Sequence, residues 1–306
     1  MKTTSKNLIV VLGPTASGKT QLAIQLAKYF NTEIISADSR QFYREIGIGT
    51  AAPNTYQLAE VKHHFVGHLS VKDDYNVSRF EKDVLDRLKT LFQTKDVVVL
   101  VGGSGLYINA VCQGIDELPD PDKKLRQQLD DVLKKEGIKA LQEKLRELDP
   151  DYYAQVDLAN PKRLIRAIEV CLQTGKPYSL LRMNKPKKRD FNILKIGLEV
   201  PRRLLNERID RRTDDMLKKG WIDEARSVYP LRHLNALNTV GYKELFTYFD
   251  EEWDLEMAVK KIKTNTRRYA KRQMTWFGKS NDINWFSPEK EEEIIKFLKR
   301  EVLNAC

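Results

Sequence analysis

The stretch GPTASGKT, Gly13 to Thr20, constrains this chain more than any other. It follows the apolar run Leu8-Ile9-Val10-Val11-Leu12 and precedes QLAIQLAKYF. An unbroken apolar run predicts a strand buried on both faces. Leu22, Leu26 and Phe30, spaced by four, predict an amphipathic helix from Gln21 to Phe30. Strand, G-x-x-x-x-G-K-[ST] and helix in that order form a phosphate-binding loop. Its backbone N–H groups and the helix N-terminus favour an anion. Gly13, Pro14, Thr15, Ala16, Ser17, Gly18, Lys19 and Thr20 are thus the expected phosphate contacts. Lys19 supplies a point charge, and the Thr20 hydroxyl is a candidate Mg²⁺ ligand. The motif leaves open whether the phosphate is a nucleotide's or another's.

The pattern then repeats. Glu33-Ile34-Ile35-Ser36 reads as a short strand ending at Ala37-Asp38-Ser39, Phe80 to Phe92 as an amphipathic helix, and Asp96-VVVLV-Gly102 as a second buried strand ending in Gly103-Ser104-Gly105. This predicts an α/β, P-loop NTPase-like parallel sheet flanked by helices. After Leu118 the texture changes to helical charge patterning with few β-branched residues, entered through Pro119 and Pro121. Residues 118–186 are read as an inserted all-helical domain, and KPKKRD (185–190) as an exposed basic linker. Phe191-NILKIGLEV resumes the sheet, so 1–117 and 187–306 form the catalytic core, with 202–306 mostly helical.

Lys and Arg number 53 against 43 Asp and Glu, a net charge of +10, which favours a polyanionic partner over a merely soluble basic surface. The densest positive stretch is KKIKTNTRRYAKRQMTWFGK (260–279), with no acidic residue and with Tyr269, Trp276 and Phe277 interleaved. Such a helix suits a nucleic-acid backbone and stacked bases, or else a solvated face with its aromatics in the core. Cys112, Cys171 and Cys306 form no C-x-x-C pair, which points away from a zinc knuckle and toward a reducing cytoplasm. The start is not a signal peptide, and no run of about 18 apolar residues would span a membrane. Asp38 and Ser104 end predicted strands, where ligands of open α/β sheets bind. Asp38 there holds Mg²⁺, acts as a base or caps the next helix. Ser104 offers a hydroxyl, or sits in a plain glycine turn. His63, His64 and His68 lack a partner spacing for a metal and are read as structural.

Together the motifs resemble the tRNA dimethylallyltransferase (tRNA isopentenyltransferase) family. The similar blocks are GPTASGKT, ISADSRQFYREIGIGTAAP (35–53), HHF (63–65), LVGGSGLYI (100–108), NPKRLIRAIEV (160–170), ERIDRRTDDML (207–217), NTVGYKEL (238–245) and RRYAKRQMTWF (267–277), in order over nearly the whole chain. With no Cys/His set near residue 300, the chain looks bacterial in type rather than like eukaryotic relatives with a C-terminal zinc finger.

The resemblance implies that the loop holds the diphosphate of dimethylallyl diphosphate. The prenyl group would move to the N6 amine of the adenosine at tRNA position 37, beside the anticodon. By the same resemblance Asp38 removes or orients the amine proton, Lys19 and Arg212 neutralise the leaving diphosphate, Ser104 bonds one of its oxygens, and Mg²⁺ bridges Thr20 to the diphosphate. The adenine would be flipped out against Asp38, Ser39, Arg40, Gln41 and Ser104. Further tRNA contacts would come from Arg126, from Lys162, Arg163, Leu164, Ile165 and Arg166, and from Asn238, Thr239, Val240, Gly241, Tyr242 and Lys243. The helical insertion would hold the anticodon stem-loop. A monomer is expected. A small-molecule kinase would explain the loop but not the basic helix or the insertion. A non-catalytic RNA binder would not need the Lys19-Thr20 pair.

Overall fold

The structure is a computed structural model, described for residues 5–183 and 185–304. Cys306, one of the three cysteines, lies outside these residues. The chain forms two compact units, one of residues 1–112 and 189–306 and one of residues 113–188.

In the first unit, six parallel strands lie in the order β3-β2-β4-β1-β5-β6. They are β1 (Asn7–Leu12), β2 (Ile34–Ser36), β3 (His63–His64), β4 (Val97–Gly102), β5 (Asn192–Leu198) and β6 (Ile283–Phe286). The unbroken apolar runs have the expected cause, since both faces of the sheet are covered. Leu8, Val10, Leu12, Ile35, Val98 and Leu100 enter one core with Phe80 and Val84 from the helix Val77–Leu91 and Ile108 and Val111 from the helix Gly105–Gln113. Ile9, Val11, Ile34, Val97, Val99 and Val101 enter the other, against Leu22 and Leu26 from the helix Lys19–Tyr29 and Ile294 and Leu298 from the helix Glu291–Asn304. Each fully buried Val or Leu contributes about 1.5–3 kcal/mol relative to exposure.

β3 and β6 are not legible in the sequence. Both are edge strands, two and four residues long, with no fully buried position. Such edges carry little periodic signal, because short strands are one way a sheet blunts its edges. His63, His64 and His68 have local roles. His63 Nδ1 bonds the Val61 carbonyl at 2.8 Å, His64 Nε2 pairs with Glu33 at 2.5 Å, and the His68 ring packs edge-on against Phe42 and Phe65.

The second unit, Gln113–Lys188, takes in residues on both sides of 118–186. Its two ends meet, with the Lys187 N–H donating to the Gln113 carbonyl at 2.7 Å. Its helices Lys123–Glu136, Ile138–Leu148 and Pro161–Thr174 bury Leu129, Leu141, Leu145, Leu164 and Ile168 together. Asp122 and Asn160 cap two of them, the latter just before Pro161 at the first helical position.

One expectation about the basic linker fails. Lys185, Lys187 and Lys188 are exposed, but the Arg189 side chain is only 9% exposed. Its guanidinium pairs with Glu81 at 2.6 Å and donates to the carbonyls of Ala110 and Val111. These carbonyls lie in the last turn of the helix Gly105–Gln113, where intrahelical donors have run out and a cation is favoured.

Candidate active site

Parallel strands put all their C-terminal ends on one edge of the sheet. The order β2-β4-β1 sets side by side three turns that are far apart in sequence: Ala37–Gln41, Gly103–Gly105 and the loop Gly13–Thr20. Their approach is close. The Ala37 N–H donates to the Val101 carbonyl at 2.7 Å, and a Cβ on Gly102 would sit 2.5 Å from the Ala37 oxygen. Gly13 has φ +148°, and a Cβ there would meet the Leu198 carbonyl at 2.9 Å. Both features require glycine.

Above this edge lies a cleft of about 440 Å³. Thr15, Ala16, Lys19 and Thr20 line it from the loop, and Asp38, Ser39, Arg40 and Gln41 from the turn after β2. The helix Arg202–Lys218 turns one face to it. Ile209, Arg212, Thr213 and Met216, spaced by three and four, all reach the wall. Asn238, Thr239, Val240 and Lys243 complete another side, and the long helix Leu255–Phe277 adds Thr266, Tyr269, Arg272 and Gln273. In the sequence Tyr269 stands out only as an interleaved aromatic and Arg272 only as part of a charge run, and Thr266 and Gln273 carry no mark at all. Their spacing marks one helix face, but the stretch reads first as a charge run.

The electrostatics are those of an anion site with one carboxylate in it. Burial, and then the Arg212 guanidinium, push Lys19 down to about 7, while Asp38 opposes them. Lys19 lines the cleft, and its Nζ donates to the Pro14 carbonyl at 2.6 Å. Burial lowers Arg212 as well, again against Asp38. Burial first, then the Asp38 charge, pushes the Tyr269 hydroxyl up to about 12. Asp38 Oδ1 accepts from the Arg40 N–H at 3.0 Å, so the carboxylate closes a turn and caps no helix. The buried Ser17 hydroxyl finds no partner among the described residues.

Several expected contacts have other work. The Arg40 guanidinium donates to the carbonyls of Asn235, Ala236 and Asn238, holding that loop against the site. The Gln41 amide is bonded by Ser36 and donates to Thr50 and Ala51. Ser104 stands behind the wall. Its hydroxyl accepts from the Ser39 N–H at 3.2 Å and meets that of Tyr269. Gly241 and Tyr242 are off the wall. Tyr242 is fully buried, its hydroxyl on Glu224, which also accepts from the N–H groups of Ile48 and Gly49. It cannot touch a macromolecule directly.

In the helical unit, Lys162 and Arg163 are exposed, but Leu164 and Ile165 are 0% and 8% exposed within the core. Those two side chains are not surface contacts, because the helix turns them inward. Arg126 and Arg166 converge on the fully buried Glu169, at 2.9 Å and 2.7 Å. Their guanidiniums are thus pre-oriented while still partly accessible.

Among the described residues no group of three or more His, Cys, Asp or Glu could form a metal cage. Thr20 and Asp38, both in the lining of the cleft, carry hard oxygen donors. They suit an ion such as Mg²⁺, which takes one or two protein ligands and draws the rest from water and phosphate.

A family model described as IPP transferase matches residues 41–280. The tRNA dimethylallyltransferase 1 of Bacteroides fragilis is 50% identical over 98% of this chain and 99% of its own length. That of Christiangramia forsetii, a tRNA dimethylallyltransferase, is also 50% identical, over 97% and 99%. The chain belongs to the tRNA dimethylallyltransferase (IPP transferase) family. Two solved structures agree with this membership. The full-length tRNA isopentenylpyrophosphate transferase of Bacillus halodurans superposes with a TM-score of 0.72 at 34% identity, over 98% of each chain. A eukaryotic dimethylallyltransferase acting on tRNA gives a TM-score of 0.78 at 28% identity, over 93% of this chain and 74% of that one. As a family member the chain is a prenyltransferase. Among its described residues no helix is long and apolar enough to cross a membrane.

Proposed function

We propose that the cleft binds dimethylallyl diphosphate and transfers its five-carbon group to the N6 amine of the adenosine at position 37 of tRNA. The observation that carries this is one carboxylate, Asp38, set among Lys19, Arg212, Lys243 and Arg272 above a phosphate loop. The loop physics is that of a nucleotide site, since a prenyl diphosphate presents the same oxygens. The electrophile differs, being the allylic carbon. As the N6–C1 bond forms, the C1–O bond breaks and diphosphate leaves with the bonding pair. The adenine amine is a poor nucleophile, its lone pair being delocalised into the ring. Asp38 orients it and takes its proton as the bond forms.

Diphosphate oxygens lying against Lys19 and Arg212 gain stabilisation as charge develops on them. They also return the charge that burial takes from Lys19. Mg²⁺ held by the Thr20 hydroxyl would add charge neutralisation on the leaving group. The adenine has to leave its stack to enter the cleft. Lys162, Arg163, Arg126 and Arg166 of the helical unit are the cations that would meet the anticodon stem-loop, recognising shape and unstacked bases. The reaction belongs in the cytoplasm, and the enzyme acts as a monomer.

The test is a transfer assay with radiolabelled dimethylallyl diphosphate, Mg²⁺ and unmodified tRNA, with AMP in parallel. Label on tRNA, lost when the adenosine at position 37 is replaced, is the expected result. Label on AMP alone would mean a free nucleotide is the acceptor. Turnover of ATP with no label on either would mean the loop serves phosphoryl transfer.

A further inference from the structure

The turns after β1 and β4 raise a problem that the sheet does not solve. The two strands pair in register up to Leu12 and Gly102, where the ladder ends. The Thr15 N–H and the Gly103 carbonyl then lie outside the ladder. Both are satisfied by one side chain from a helix more than 100 residues further on. Gln273, 6% exposed, accepts from the Thr15 N–H with Oε1 at 2.9 Å and donates from Nε2 to the Gly103 carbonyl at 2.8 Å. The orientation of the amide is decided by its partners, because flipping it would set donor on donor and acceptor on acceptor. The same close approach shows in the room left at Gly103. Its φ is not positive, yet a Cβ there would lie 2.3 Å from Gln273 Nε2. A side chain at this position would have to push the amide aside.

We propose that Gln273 is a positioning residue that clamps the phosphate loop to the turn after β4 and so holds the diphosphate-binding backbone in its working shape. This rests on the reading that the loop binds a prenyl diphosphate. Gln273 acts through Thr15 and Gly103 and takes no part in bond making. A loop that must present several N–H groups to one anion loses affinity when its first turn is free to shift.

The experiment titrates inorganic diphosphate, with Mg²⁺, into the full chain by calorimetry, and measures KM and kcat for dimethylallyl diphosphate with tRNA. Gln273→Ala and Gln273→Met should each weaken diphosphate and raise that KM by about tenfold, with a smaller fall in kcat. Gln273→Glu keeps the acceptor but sets a carboxylate against the Gly103 oxygen, and should be worse than either. Gly103→Ala should reproduce the Gln273→Ala defect by expelling the amide. The double variant should lie within about twofold of Gln273→Ala, since the clash is then gone. Wild-type diphosphate affinity in Gln273→Met or Gln273→Ala, or a double variant showing the product of the two single losses, overturns the clamp. If Gln273→Ala does not fold, Gln273→Met and Gly103→Ala decide by the same measure. Failure of the wild-type chain to label tRNA would sink the prenyl-transfer reading alone, because the diphosphate titration still decides the clamp.

Discussion

At Asp38 a single carboxylate faces a cleft wall whose other charges are Lys19, Arg40, Arg212, Lys243 and Arg272. Lys19 and Arg212 are both lowered by burial and both raised by Asp38. An Asp38→Ala enzyme should lose about 10²–10⁴-fold in single-turnover prenyl transfer while its tRNA affinity, by filter binding, stays within about twofold. A fall in binding that matches the fall in rate would contradict this division of labour. The place of Asp38 could be read from the chain, because a carboxylate just after a short apolar run marks a strand end. The role of Arg40 could not. Its three carbonyl partners, Asn235, Ala236 and Asn238, are nearly 200 residues away, and nothing local announces them. Tyr242 shows the same limit. A polar aromatic in a motif suggests a surface contact, and only burial against Glu224 says otherwise.

The long helix Leu255–Phe277 has two faces that its charge run conceals. Ala258, Ile262, Ala270 and Phe277 are buried, and Tyr269 and Gln273 serve the cleft. Its positive charge is also partly spent within the protein. Lys263 pairs with Asp214 at 2.6 Å, and Arg267 with Asp210, both on the helix Arg202–Lys218. Half-exposed pairs of this kind contribute about 0–1 kcal/mol to stability. Asp210→Asn with Asp214→Asn should therefore leave thermal stability nearly unchanged. The freed cations should steepen the log–log salt dependence of tRNA affinity by about 0.7–0.9 for each one that reaches a phosphate. An unchanged slope across a salt titration would show that this face of the helix meets no backbone. The 3.6-residue period tells where the helix lies, whereas its partner is a matter of tertiary packing.

At the scale of the whole molecule the chain forms two compact units, each with its own core. Lys162 and Arg163 are exposed at the start of the helix Pro161–Thr174, whereas Leu164 and Ile165 of the same motif are buried in it. Lys162→Glu with Arg163→Glu should raise the Kd for tRNA by about tenfold or more at low salt. Diphosphate affinity, measured without tRNA, should not move. Equal losses in both would show that the two units do not bind independently.

Along the chain alone, the phosphate loop, β1, β2, β4 and β5, the helical insertion and the family resemblance are all legible. Each rests on a local pattern: an apolar run, a four-residue spacing, a glycine motif or a block of ordered residues. The strand order β3-β2-β4-β1-β5-β6 is not local. It is settled by which edges pair and which faces are covered, and it alone brings Asp38, Gly103 and Lys19 to one cleft. The burial of Tyr242, the anchoring of Arg189 and the clamp by Gln273 were decided there too. Hydrogen bonds and contacts act over a few ångströms in space whatever the distance along the chain, so a one-dimensional pattern carries no record of them.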